Sequence, residues 1–74
     1  MSDLTFGQRA AGVSFNPSNN PEVDSIKEGF AKMIDHLNSL RGSADPEVAR
    51  MLSIAITEAQ TAQMWAVKAV TWRT

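Results

Sequence analysis

Seventy-four residues with no cysteine, one histidine and a net charge of −1 exclude several classes at once. Disulfide staples and thiolate metal sites need cysteine, a DNA-coating protein needs a basic excess, and no apolar run approaches the roughly 20 residues of a membrane span. The length fits a single domain, 1–74, and so short a chain buries only about 60% of its unfolded surface, which leaves oligomerisation as its staple.

The opening MSDLTFGQRAAG lacks the basic start and apolar run of a signal peptide, so a soluble, intracellular protein is expected. Residues 1–20 carry no sustained period and read as an irregular arm. Leu4, Phe6, Val13 and Phe15 suggest that parts of it dock. Phe15-Asn16-Pro17 is expected to be extended, because the residue before proline is pushed out of the α region.

A first helix is expected over 21–41. Asn20 is a good N-cap, Pro21 suits the first helical position, and Glu22 and Asp24 complement the positive helix end. Val23, Ile26, Phe30, Met33, Leu37 and Leu40 then recur at steps of three and four, and Ile34 widens this seam. Arg41-Gly42 stops the helix.

The same start signal returns in Asp45-Pro46-Glu47-Val48, and a second helix is expected over 46–73, roughly 40 Å long. The short link between the two forces an antiparallel hairpin. One stripe of helix two, Val48, Leu52, Ala55, Ala59, Ala62, Ala66 and Ala69, is rich in alanine and is expected to face helix one, with Phe30 among the bulky residues opposite. A second line holds Ile54, Glu58, Thr61, Trp65, Lys68 and Trp72. A hairpin has one inside, so Ile54, Trp65 and Trp72 need a cover from the arm or another subunit. The fold class is therefore all-α: an irregular arm plus a two-helix hairpin, assembling as a homo-oligomer.

Nothing in the chain suggests catalysis. There is no nucleophile elbow, no phosphate-cradling glycine loop and no paired-histidine spacing, and no metal or cofactor is expected. Glu22, Asp24, Glu28 and Asp35 read as a solvated acidic face. His36 has no visible partner for acid–base work. Period and composition alone end at a helical hairpin that oligomerises, with a small adaptor that binds a partner protein through its tryptophan face as one use for it.

Three sequence features go further. They are the aromatic-polar-proline step Phe15-Asn16-Pro17, the start Asp24-Ser25-Ile26-Lys27, and the block Ala62-Gln63-Met64-Trp65-Ala66 preceded by Ile56-Thr57. Their order and spacing, over about residues 13–73, resemble a family of small phage proteins, the anti-CBASS sponges, which share a helical hairpin domain with phage inhibitors of Thoeris. The resemblance implies a homo-oligomer, a hexamer, with ligand pockets between subunits in the host cytoplasm. It implies cyclic dinucleotides as ligands and, in some members, cyclic trinucleotides at separate sites, held without cleavage so that a defence effector never sees them.

The chemistry suits such a ligand. Aromatic rings stack on bases at about 1–3 kcal/mol each, and cations pair with phosphates. Phe15 matches the family's aromatic before proline, often a tyrosine, and is expected to stack on a base. Asn16 is expected to read a base edge or hold the arm, and Lys27 to meet a phosphate near the free N–H groups of the helix start. Thr71 and Arg73 are candidates for a second phosphate site. Trp65, Trp72, Ile54 and Phe30 are assigned to core or interface.

Overall fold

The computed structural model describes residues 3–73 and contains three helices, α1 Phe6–Ala11, α2 Pro21–Arg41 and α3 Pro46–Val70, with no strand among the described residues. Residues 1, 2 and 74 of the expected domain lie outside them. The fold is all-α, and α2 and α3 form the hairpin, with α1 laid mainly against α2.

Both long helices start as their sequences dictate. The Asn20 side chain accepts from the Glu22 N–H at 2.9 Å, and the Asp45 carboxylate accepts from the N–H groups of Glu47 and Val48, each at 3.1 Å. On the first turn of α3, Arg50 forks onto Glu47, 2.7 Å away, and holds that carboxyl below its ordinary pKa. Any stabilisation from this pair is present at neutral pH and fades as pH falls through the lowered value, but an exposed pair contributes little.

α3 ends three residues earlier than expected. The Thr71 hydroxyl turns back onto the Val67 carbonyl at 2.8 Å. The Asn20 side chain donates to the Val70 carbonyl at 3.2 Å, an acceptor that a longer helix would have kept for its own ladder. Asn20 thus caps the start of α2 and ties it to the end of α3.

The arm is not wholly irregular, because residues 6–11 are helical. Thr5 and Gln8 form a reciprocal capping box: the Gln8 N–H donates to the Thr5 hydroxyl oxygen and the Thr5 N–H to the Gln8 side chain. Gly12 stops the helix in the left-handed region at φ 68°. A helix of six residues is too short to display a period, so the box and the glycine were its only sequence signals.

Asp35 of α2 anchors this helix. It accepts from the Gly7 N–H and from the Thr5 hydroxyl, both at 2.7 Å. Gly7 lies so close to α2 that a Cβ there would stand 2.1 Å from the Ala31 carbonyl oxygen. The small residues Gly7 and Ala11 are what the arm buries, while Leu4, Phe6 and Phe15 stay exposed. Asp35 is therefore part of the packing and does not belong to a solvated acidic face.

The hairpin interior also runs along a different line of α3 than expected. Ile56 and Gln63 are its buried residues, and the interior continues through half-buried Ala49, Ser53, Gln60 and Val67. Of the alanine stripe, Leu52, Ala55, Ala59 and Ala66 are half-buried, whereas Val48, Ala62 and Ala69 are exposed. On α2 the buried residues are Val23, Lys27, Ala31 and Ile34, whereas Met33, 56% exposed, and Leu40 fall outside.

The phase shift has a physical cause. Docking of α1 on the Ala31–Asp35 side of α2, with Gln60 of α3 donating to the Ala10 carbonyl at 3.2 Å, turns both helices toward the arm. Their remaining apolar residues are left on the opposite flank.

Candidate functional site

The arm, the start of α2 and the end of α3 converge on a cleft of about 300 Å³ lined by Phe15, Asn16, Pro17, Ser18, Val23, Lys27, Val67 and Thr71. Four of the five residues expected to bind ligand, Phe15, Asn16, Lys27 and Thr71, therefore line one cavity although they come from three parts of the chain. Arg73 does not line it. It lies in an adjoining depression of about 340 Å³ with Ser18, Asn20, Val70, Thr71 and Trp72, so Thr71 and Ser18 border both.

Lys27 lies deep in the structure, at 6% exposure. Its ammonium donates to the carbonyl oxygens of Gly12, at 3.0 Å, and of Phe15. It also sits 5.4 Å from the centre of the Phe15 ring, within cation–π range. The lysine is thus a staple that folds the arm over α2. An ammonium has three N–H groups, and two are used by these carbonyls. No carboxylate among the described residues pairs with it; the ion pair present there is Arg50–Glu47. A nearly buried cation with a donor to spare and no carboxylate paired to it favours an incoming anion.

The expected help from the α2 N-terminus is not there. Pro21 has no N–H, the Glu22 N–H goes to the Asn20 side chain at 2.9 Å, and the Val23 N–H goes to the Asn20 carbonyl at 3.0 Å. The first donors of the helix are already filled.

Phe15 is held by its backbone and free at its ring. Its N–H donates to the Gly12 carbonyl at 3.0 Å and its carbonyl accepts from Lys27, while the side chain is 68% exposed. An aromatic face is therefore presented at the mouth of the cleft, above the ammonium.

Asn16 has little capacity left for a ligand. Its side-chain nitrogen donates to the Asn20 carbonyl at 3.0 Å and to the Asp24 carboxylate at 3.1 Å, and its oxygen accepts from the Ser18 hydroxyl at 2.8 Å. Both ends of the amide hold the arm, so of the two roles expected for Asn16 the geometry supplies the second. Asn19 adopts φ 56°, a left-handed conformation that asparagine tolerates, and turns the chain into α2. Sequence reasoning passed over Ser18, Asn20 as a bridge and Asp24 as an arm ligand. Their signal was the polar run Ser18-Asn19-Asn20 ahead of a proline-started helix, which favours local side-chain turns.

Neither tryptophan lines the Phe15–Lys27 cleft, although Trp72 borders the adjoining depression of Arg73. Trp65 is 67% and Trp72 64% exposed. Trp72 lies beyond the end of α3, yet its ring and that of Trp65 flank the same ammonium, with Lys68 Nζ 5.7 and 5.8 Å from their centres. Ile54 is exposed and Phe30 half-buried on the α2 flank, beside a shallow groove formed with Ser25, Ile26, Gly29 and Met33. No helix of the described residues is long and apolar enough to cross a membrane.

Comparison with known proteins gives one family match, to the family described as Acb2/Tad1, hairpin domain, over residues 8–71. No curated protein and no solved structure matches the chain.

Proposed function

This chain belongs to the Acb2/Tad1 hairpin domain family of phage anti-defence proteins, and from that premise we propose that it binds cyclic oligonucleotide second messengers and withholds them, uncleaved, from the host's CBASS effectors. The observation that carries the reading is the pairing of the exposed Phe15 ring with the Lys27 ammonium at one cleft. A cyclic dinucleotide presents a base face and a phosphate to that pair, and a second, identical pair on a neighbouring subunit would meet the other half of a two-fold ligand. Arg73, in the adjoining depression, is suited to a further phosphate, as a cyclic trinucleotide would require; Thr71, on the shared border, would first have to release its hydroxyl from the Val67 carbonyl. In this reading the groups that meet the ligand, the Phe15 ring and the Lys27 ammonium, stack and pair, and the messenger is held unchanged. The working assembly is a homohexamer in the host cytoplasm, with no DNA or membrane as partner.

Titration of cyclic di-AMP, cyclic di-GMP, cyclic GMP–AMP and cyclic tri-AMP by calorimetry, followed by recovery of the ligand after heat denaturation, tests the reading. Tight binding of at least one, recovered intact, is expected. Altered ligand would make the protein an enzyme, and silence toward every cyclic di- and trinucleotide would sink the proposal.

A second reading, a helical adaptor that binds a partner protein, is favoured by the exposure of Trp65 and Trp72 around Lys68. It predicts that Trp65→Ala abolishes function while nucleotide affinity is unchanged.

A further inference from the structure

The Asp24 carboxylate has a task that its place on a charged helix face hides. It accepts from the Asn16 side chain at 3.1 Å, and Asn16 follows the residue whose ring stands over the cleft. The arm around Phe15 has two grips. Lys27 holds the Phe15 and Gly12 carbonyls on one side. On the other, Asn16 is pinned to α2 by Asp24 and by the Asn20 carbonyl, with Ser18 closing the amide's free end. The Phe15 ring is largely exposed, so little packing against its sides fixes its direction; the backbone grips do.

We propose that Asp24 is a positioning residue for ligand recognition, acting through Asn16 to hold the Phe15 ring over the cleft. This rests on the proposed nucleotide-binding role of that cleft. The proposal has a counterintuitive sign. An acid one helical turn from Lys27, near an anion site, repels phosphate, so on charge alone its removal strengthens binding. If Asp24 acts by positioning, removal weakens it. An asparagine at position 24 can still accept from Asn16 through its own carbonyl oxygen, and thereby separates the two effects.

The experiment compares Asp24→Ala and Asp24→Asn in the full chain, titrated with the cyclic dinucleotide that the unaltered protein binds best. Asp24→Ala is expected to weaken binding roughly tenfold, the scale of a hydrogen bond to a charged acceptor. Asp24→Asn is expected to stay within about threefold of the unaltered protein, as a neutral acceptor restores most of the grip. In a Phe15→Ala background, Asp24→Ala is expected to cost almost nothing further, which a general loss of folding would not reproduce.

The side-chain amide signal of Asn16 in NMR spectra, read without ligand, should move in Asp24→Ala and stay near its place in Asp24→Asn. Tighter binding in both variants, equal losses in both, or an undiminished loss in the Phe15→Ala background would each overturn the proposal. Failure of the unaltered protein to bind any cyclic dinucleotide would instead remove the reading on which it rests, and the proposal with it.

Discussion

At the scale of single residues, the cleft separates presenting a group from holding it in place. Phe15 presents a ring; Lys27 both holds the arm and keeps a donor free; Asn16 only holds. Phe15→Ala removes the ring and little else, and is expected to weaken cyclic dinucleotide binding by about tenfold or more, the loss of one stacked base, while Phe15→Tyr retains it. Lys27→Met keeps the aliphatic stem but loses the charge and the arm staple. It should weaken binding and also flatten its salt dependence, because one phosphate contact is gone. Calorimetry at two salt concentrations checks both.

Gly7 is a residue of a different kind. A Cβ there would collide with the Ala31 carbonyl, backbone that cannot step aside. Gly7→Ala is therefore expected to lift α1 off α2 and raise hydrogen exchange across residues 5–15 while α3 stays protected.

Phe15 and Lys27 could be singled out as candidates from the sequence, and they line one cleft, because an aromatic-proline step and a lysine in a recognisable start block are each written side by side with their neighbours. It could not reach the Lys27 staple or the clasp between Asn16 and Asp24. Both depend on the arm folding back onto α2, a tertiary event with no local signature.

At the scale of elements, caps were legible and faces were not. Asn20-Pro21 and Asp45-Pro46 fix where the long helices begin, because an N-cap is a short-range hydrogen bond; the first helix ends at Arg41 as expected, but Gly42 stays right-handed at φ −64° and forms no left-handed glycine cap. Which stripe of an apolar helix turns inward depends on what else docks. With the short α1, invisible to any periodicity, docked beside them, the deepest line of α3 is that of Ile56, Gln60 and Gln63, and the alanine stripe is only its half-buried edge. Substitutions two residues apart test that phase. Ile56→Ala is expected to cost about 2–4 kcal/mol in urea unfolding, the range for emptying a buried isoleucine site. Ile54→Ala, on the exposed side, should leave the hairpin's helix content intact and act on association instead.

At the scale of the whole molecule, the chain is a thin slab with extents of 45 × 33 × 12 Å. A layer this thin leaves apolar side chains uncovered: Met33 and Leu40 from α2, and Ile54, Met64, Trp65 and Trp72 from α3 or its end. Uncovered apolar area on that scale favours association, and it agrees with the shortage of core expected from chain length. Light scattering should accordingly return the mass of a multimer, six chains on the proposed assembly. Met33→Glu, which places a charge in the α2 groove, should reduce that mass without unfolding the helices.

The most direct test of sequestration is equilibrium binding combined with the fate of the ligand. The protein is saturated with a cyclic dinucleotide, freed of excess, heated until it releases its cargo, and the released molecule is identified by mass and by its ability to activate a CBASS effector. The expected result is a stoichiometric yield of unchanged, fully active messenger, reduced in Phe15→Ala. An empty protein after saturation, or a linear or hydrolysed product in place of the messenger, would contradict it.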